Sequence, residues 1–162
     1  MYSVWVEPVE KDAKYLLRII RKLGKKYCSP TFHPHITVYS EIRSSSAAKS
    51  AIKNCRKMKK FTVETTDLAF SDDLWKTVFI NMEKNQKLRQ IHDTIKKTVP
   101  LSPKYEFHPH ISLIYKKLDD SEKQVIIDNL KIKRKFTFDK ITIITSSNDV
   151  EKWKVLDRVV LK

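Results

Sequence analysis

A hexapeptide that occurs twice constrains this chain more than any other feature. Phe-His-Pro-His-Ile-Thr, from Phe32 to Thr37, returns 75 residues later from Phe107 to Ser112, with Ser for Thr as the only difference. Both copies run into an apolar, β-branched or aromatic segment, which is typical of a strand. Internal similarity of this kind indicates two similar lobes, each presenting one His-x-Thr/Ser triplet.

Hydrophobic periodicity predicts the order β-α-β-α-β in the first half of the chain and the same order with one further strand in the second half. The predicted strands cover 2–7, 35–40, 61–70, 74–82, 110–115, 135–145 and 153–161, and the predicted helices cover 12–23, 47–58, 85–98 and 119–130. Gly24 is expected to end the first helix, 100–103 to form a loop, and a polar turn at 71–73 to mark the lobe boundary. The pattern therefore predicts an α+β fold in one domain, 1–162, with lobes of about 1–70 and 74–162.

Charge and glycine content limit how this chain can bind phosphate. The 33 Lys and Arg residues exceed the 19 Asp and Glu residues by 14, which attracts polyanions, although a solvated Lys-rich surface explains the same excess. The chain has a single glycine, whereas backbone phosphate loops need several at fixed spacing. Any phosphate must therefore be held mainly by side chains.

Cysteine use and hydropathy give expectations about location. Cys28 and Cys55 stand in no metal or redox spacing, which favours reduced thiols over a disulfide framework. No apolar run reaches the length of a membrane span, and the chain begins directly as a strand without the pattern of a signal peptide. We therefore expect a cytoplasmic protein with no membrane partner.

The repeated triplet predicts acid–base chemistry at phosphorus. Alternate residues of a strand share a face, so His35 lies beside Thr37 and His110 beside Ser112. If the lobes face each other, two imidazoles and two hydroxyls converge in one cleft. One neutral histidine would deprotonate water and the protonated one would protonate the leaving alkoxide, while the hydroxyls donate to phosphate oxygens. This chemistry requires no metal and no cofactor.

Two other interpretations of the histidines remain open. The repeat could be purely structural, or four imidazoles could bind zinc or another divalent metal. The four are His33, His35, His108 and His110. Against a metal site, the motif contains no carboxylate, and the hydroxyl after each second histidine would be unexplained. We expect His33 and His108 to lie at strand entries, and His92 to lie in the core or between the lobes.

The paired triplets resemble those of the 2H phosphoesterase superfamily. The opening Tyr2–Trp5, the strand Thr77–Ile80 and the segment His110–Tyr115 look like its plant and yeast cyclic phosphodiesterase branch. The resemblance implies a bilobal fold, with antiparallel sheets around a cleft and helices outside. It also implies metal-independent opening of nucleoside 2′,3′-cyclic phosphates to 2′-phosphates, and of ADP-ribose 1″,2″-cyclic phosphate to the 1″-phosphate.

The same resemblance implies roles for individual residues. His35 and His110 become the catalytic pair, and Thr37 and Ser112 become the phosphate-binding hydroxyls.

Two aromatic residues are further candidates for binding phosphate or substrate. Tyr115 matches a family tyrosine, but strict alternation puts it opposite Ser112 unless the strand bends or ends there. Trp5 faces the cleft if Val4 and Val6 are core, where its indole could stack on a base; the alternative is an ordinary packed tryptophan.

The size of the substrate stays open at this level. Basic residues form a helical stripe in one segment and a cluster in another: Lys49, Lys53, Arg56 and Lys60, then Lys131, Lys133, Arg134 and Lys135. These residues could follow an RNA backbone, which would favour RNA ends or 2′-5′ oligoadenylate, or a non-catalytic RNA-binding module. A solvated outer face is the simpler interpretation. We expect a monomer that acts on a small cyclic nucleotide or ADP-ribose cyclic phosphate.

Overall fold

The described part of the chain, residues 1–99 and 105–162 of a computed structural model, contains seven strands and four α-helices. The strands are β1 Tyr2–Pro8, β2 Ile36–Ile42, β3 Phe61–Phe70, β4 Val78–Met82, β5 His110–Ile114, β6 Lys135–Thr145 and β7 Lys154–Val160. The helices are α1 Glu10–Tyr27, α2 Ser45–Lys53, α3 Gln86–Thr98 and α4 Asp120–Asp128. The loop expected at 100–103 lies outside the described residues.

All strand pairs are antiparallel and follow the order β2-β1-β6-β3-β4-β5, with β7 paired to β6. The first half of β3 pairs with β6 and its second half with β4, so β3 connects the two lobes. The predicted α+β class with antiparallel sheets is confirmed. The two triplets lie on β2 and β5, which occupy opposite ends of this order. The sheet nevertheless curves until β2 and β5 contact each other.

Strand pairing does not follow the expected division of the chain into 1–70 and 74–162. Both β6 and β7 come late in the sequence, yet residues 138–145 of β6 pair with the whole of β1, and β6 carries β7 on its other side. The lobe that contains the first triplet is therefore built from both ends of the chain. Phe136 and Phe138 of β6 are fully buried in the shared core, which explains why this strand must lie at the centre.

Gly24 does not end α1, contrary to the prediction. The helix continues to Tyr27, and Cys28 takes the left-handed C-terminal position with φ 53°. Gly24 instead allows the chain after the helix to return closely, because a Cβ atom there would lie 2.9 Å from the Ser29 carbonyl oxygen. Steric space, and not a left-handed turn, explains the single glycine.

Local signals at other helix starts are confirmed. The Ser44 hydroxyl accepts a hydrogen bond from the Ala47 amide at the start of α2. Asp119 and Glu122 form the predicted capping box at the start of α4. One strand start was wrong: Leu74–Lys76 forms a 3₁₀ turn, and β4 begins only at Val78.

Two further findings concern the described residues. No helix among them combines the length and apolar character needed to cross a membrane. Cys28 is exposed and Cys55 is buried, and both are free thiols.

Candidate active site

The two triplets meet at one cavity of about 730 Å³. Its lining includes all six residues singled out from the sequence: Trp5, His35, Thr37, His110, Ser112 and Tyr115. The intervening Ile36 and Ile111 are fully buried in the core, as strand alternation requires. Two imidazoles and two hydroxyls therefore share one cleft.

Both histidines are held by the same backbone contact. Nδ1 of His35 lies 2.7 Å from the carbonyl oxygen of His33, and Nδ1 of His110 lies 2.6 Å from that of His108. A carbonyl can only accept, so each Nδ1 carries the hydrogen and donates it. In the neutral rings this leaves Nε2 as the basic atom. His33 and His108 thus contribute their main chains, as expected of residues at the strand entry.

Burial shapes the proton affinity of the pair. It lowers the pKa of His35 to about 3, even though the hydrogen bond to the His33 carbonyl acts in the opposite direction. Burial also lowers the pKa of His110 to about 4, and nearby Lys76 adds to the effect while Asp73 opposes it. Both imidazoles are consequently neutral at neutral pH in the free protein.

Trp5 lies on the cleft side of β1 and packs on a histidine. Its indole stacks on the His35 imidazole with ring centroids 3.5 Å apart and planes 9° apart. Trp153 meets the same indole edge-on at 5.3 Å. Only 5% of Trp5 is exposed, so its contacts are mainly with protein rings and it fixes the plane of His35.

The two hydroxyls differ in their contacts. Ser112 donates to the Trp75 carbonyl over 2.7 Å. Within residues 1–99 and 105–162, the Thr37 hydroxyl has no hydrogen-bond partner, although the Thr37 carbonyl accepts from the Tyr105 phenol at 2.9 Å. The Thr37 hydroxyl can therefore donate to a ligand directly, whereas the Ser112 hydroxyl must first break its hydrogen bond to the Trp75 carbonyl.

Tyr115 reaches the cleft because β5 ends one residue before it, at Ile114. The end of the strand releases Tyr115 from the alternation that would have turned it away from Ser112. Its ring stacks on Phe32 at 3.9 Å and meets the Trp75 indole edge-on at 5.2 Å. Burial raises the pKa of Tyr115, so its phenol stays protonated.

Sequence reasoning missed several residues of the cleft. Trp75, Lys76, Tyr105 and Trp153 also line it, so all three tryptophans of the chain lie there. The ring centroids of Trp75 and Trp153 are 5.6 Å apart, and the two rings form an aromatic wall together with Tyr115. A usable signal was that Trp75 and Trp153 both lie next to polar, turn-forming segments, where large aromatic residues are unusual unless they meet a partner.

The basic stripe lies away from the cleft. Lys53, Arg56 and Lys60 are exposed, and neither they nor Lys49 line the cavity. Lys76 is the one Lys or Arg residue among the described residues of the cavity lining. The arrangement matches the solvated outer face that was the simpler interpretation of the stripe.

The structure also bears on the metal-site interpretation and on His92. Among residues 1–99 and 105–162, no group of three or more His, Cys, Asp or Glu side chains is arranged to hold a metal ion. His92 is buried beside the first triplet strand, where its Nδ1 lies 2.8 Å from the Val38 carbonyl oxygen, and its ring stacks on Phe107. It is a core histidine, as expected.

Two His-x-Thr/Ser triplets facing one cleft between antiparallel strands are the arrangement that the resemblance to the 2H phosphoesterases predicts. The model of the family described as cyclic phosphodiesterase-like protein matches residues 1–161. The chain belongs to this cyclic phosphodiesterase-like family and is a phosphodiesterase.

Similar proteins come from plants and bacteria. The cyclic phosphodiesterase of Arabidopsis thaliana is 25% identical over 126 residues, which cover 76% of this chain and 70% of that protein. Escherichia coli LigT, solved with 3′-AMP, has a TM-score of 0.64 at 14% identity over 99% of this chain and 97% of LigT. TT0787 of Thermus thermophilus has a TM-score of 0.66 at 12% identity, with the same coverage. Both structures share the fold.

Proposed function

We propose that this protein hydrolyses nucleoside 2′,3′-cyclic phosphates to nucleoside monophosphates without a metal ion. The observation that carries the proposal is the pair of identically held imidazoles, His35 and His110, on one cleft with Thr37 and Ser112. A cyclic phosphodiester needs one proton removed from water and one given to the ribose oxygen that departs. Two histidines with free Nε2 atoms supply both transfers.

The reaction adds one water across one P–O bond. Nε2 of the neutral histidine takes a proton from water, whose oxygen attacks phosphorus in line with the departing ribose oxygen. The bond between phosphorus and the departing ribose oxygen breaks, and the protonated histidine gives that ribose oxygen a proton. The products are a phosphate monoester and a ribose hydroxyl, and the two histidines have exchanged protonation states.

The low pKa values fit an anionic substrate. Burial removes the water that would solvate an imidazolium, which is why it lowers the pKa of His35 and of His110. A bound phosphodiester brings a negative charge beside both rings and favours protonation of one of them. Substrate binding thereby creates the mixed protonation state that the reaction needs.

The hydroxyls and the aromatic wall divide the substrate between them. Thr37 and Ser112 donate to the non-bridging phosphate oxygens, where charge grows in the transition state. Trp75 and Trp153 offer ring faces and edges to a nucleobase. The Arabidopsis relative is named a cyclic phosphodiesterase, and LigT has been solved with 3′-AMP, NADP⁺ and ATP, which supports a small nucleotide as ligand.

A substrate panel tests the proposal. We expect turnover of nucleoside 2′,3′-cyclic phosphates in the presence of EDTA, with the 2′-phosphate as the product that the family resemblance implies. ADP-ribose 1″,2″-cyclic phosphate, an oligonucleotide with a 2′,3′-cyclic end and 2′-5′ oligoadenylate complete the panel, with products separated by chromatography. Preference for an oligonucleotide over the mononucleotide would instead favour RNA ends, and salt-sensitive RNA binding without any turnover would contradict catalysis.

The pH dependence follows from the lowered pKa values. In the free enzyme the singly protonated pair becomes scarcer as pH rises above the pKa of about 4 of His110. We expect kcat/KM to fall about tenfold per unit between about pH 5 and pH 7. The kcat profile, which reports the substrate complex, should decline only nearer neutrality. Steady-state rates across this range give both profiles, and a kcat/KM that stays flat up to pH 7 would refute the assignment.

Acid stability sets the lower limit of that experiment. A histidine whose folded-state pKa lies below its ordinary value of 6.5 stabilises the fold fully above about pH 6.5, and this stabilisation is lost as pH falls toward the folded-state pKa of about 3 for His35. Circular dichroism at each pH therefore accompanies the kinetics, so that unfolding is not mistaken for titration of the active site.

A further inference from the structure

The segment that carries Trp75 and Lys76 into the cleft, residues 71–77, is called the Trp75 loop below. Several hydrogen bonds join residues within this loop. The Ser71 hydroxyl donates to the Lys76 carbonyl at 2.6 Å, and the Thr77 hydroxyl donates to the Leu74 carbonyl at 3.0 Å. The Asp73 carboxylate accepts from the Trp75 amide at 2.9 Å. These bonds give the loop a defined shape, but they do not fix its position relative to the cleft.

A buried lysine on α4 holds this loop from outside the cleft. Only 3% of Lys123 is exposed, and its Nζ donates to the Ser71 carbonyl at 2.9 Å and to the Asp72 carboxylate at 3.1 Å. It also lies 3.4 Å from the Asp120 carboxylate and 5.5 Å from the centroid of the Phe70 ring. A buried ammonium is costly unless it is paired, so these contacts strongly determine its position.

The ammonium group stays charged in this environment. Burial alone would lower the pKa of Lys123, but hydrogen bonds to Asp72 and Asp120 outweigh burial and the net pKa is raised. A charged donor forms stronger hydrogen bonds than a neutral one. Its bond to the Ser71 main chain therefore restrains the backbone of the loop as well as its side chains.

The opposite side of the loop contacts residues that line the cleft. The Trp75 carbonyl accepts from the Ser112 hydroxyl, and the Trp75 ring meets Tyr115. When Ser112 turns to a phosphate oxygen, the loop loses its bond to β5, because one hydroxyl has one hydrogen to donate. The bonds from Lys123 on the α4 side then remain to restrain the loop backbone, beside the packing of the Trp75 indole on Tyr115 and Trp153.

From these contacts we infer that Lys123 is a positioning residue for substrate binding, which acts through the Trp75 loop and touches neither phosphate nor base. The inference rests on the proposed function, since it assigns the loop to nucleotide recognition. It separates two jobs in the cleft. The histidines perform the proton transfers, while the loop held by Lys123 determines how tightly the nucleoside part is bound.

The test compares Lys123→Met with Lys123→Arg and with Lys131→Met, the same substitution at an exposed lysine. For cytidine 2′,3′-cyclic phosphate we expect Lys123→Met to raise KM about tenfold, since a bond to a charged donor is lost, and to change kcat less than about threefold. Lys123→Arg should bring KM back to within about threefold of wild type. Lys131→Met should leave both constants unchanged.

A second readout does not depend on turnover. The indole N–H signals of the three tryptophans, assigned in ¹H–¹⁵N spectra through single Trp→Phe variants, report the loop directly. Lys123→Met should shift the Trp75 signal more than that of Trp5, and Lys131→Met should shift neither. Unchanged KM with an unchanged Trp75 signal would overturn the inference, even if the melting temperature falls, because Lys123 would then only stabilise the fold.

Two further outcomes are distinguishable. If Lys123→Met does not fold, Asp72→Asn removes one partner of the ammonium at an exposed site, and it should raise KM and shift Trp75 in the same direction, more weakly. No change there would also overturn the inference. If the wild-type protein hydrolyses none of the cyclic phosphates, the proposed function fails, while the Trp75 signal still reports whether Lys123 positions the loop.

Discussion

Replacing either His35 or His110 with asparagine is expected to lower kcat for a nucleoside 2′,3′-cyclic phosphate by about 10³-fold. General acid or base catalysis by one positioned side chain contributes on the order of 10²- to 10⁴-fold. Asparagine keeps an N–H that can donate to the carbonyl of His33 or His108, so the change removes the proton transfer with little change in packing. Steady-state kinetics with product analysis measure the loss.

The double variant gives the sharper result. Both histidines act in one step, so losing the second should cost less than losing the first, and the double variant should fall no more than about tenfold below the weaker single one. His92→Asn serves as the control, because its buried side chain bonds to the Val38 carbonyl away from the cleft. A double variant that keeps turnover within tenfold of wild type would contradict the two-histidine mechanism.

Removing the hydroxyls should give the second-largest effect, and an unequal one. Thr37→Val keeps the shape and the β-branch of the side chain, and loss of its donor should lower kcat about 10²-fold with little change in KM. Ser112→Ala should lower kcat similarly and also raise KM, because it removes the bond that holds the Trp75 carbonyl. The separate values of kcat and KM for each variant test the difference.

Two kinetic results would contradict the expected difference between the hydroxyls. If Thr37→Val retained wild-type kcat, its hydroxyl would have no part in stabilising the transition state. If Ser112→Ala changed kcat alone, the contact between Ser112 and the Trp75 loop would have no bearing on substrate binding. The two hydroxyls occupy equivalent positions in the sequence repeat, so the expected difference in KM comes from the contact of Ser112 with the Trp75 carbonyl.

The fold positions this site through contacts between distant parts of the chain. Thr37 stands opposite Trp5 across the β1–β2 pair, and Ser112 stands opposite Phe79 across the β4–β5 pair. Each hydroxyl thus has an aromatic neighbour on the adjacent strand. The core on the other face of these strands, with Ile36 and Ile111 fully buried, keeps both triplets rigid.

Local patterns in the sequence determined much of this protein. Strand alternation was enough to place the second histidine and the hydroxyl of each hexapeptide on one face and the isoleucine between them in the core. Side-chain capping chemistry was enough to begin α4 at Asp119. Each of these conclusions depends on interactions between residues a few positions apart, which a sequence displays directly.

Only the tertiary structure decided the rest, because the responsible contacts join residues that are far apart in the chain. The pairing of β6 with β1 was hidden, since many antiparallel registers satisfy the same hydrophobic pattern. Gly24 lies inside α1 because the chain passes close to it after the helix ends, and the local sequence pattern does not show that close approach. Trp75 and Trp153 entered the cleft through turns, where no periodicity indicates a direction. The unequal surroundings of Thr37 and Ser112 likewise arise from Trp75, a neighbour that the two nearly identical motifs do not share.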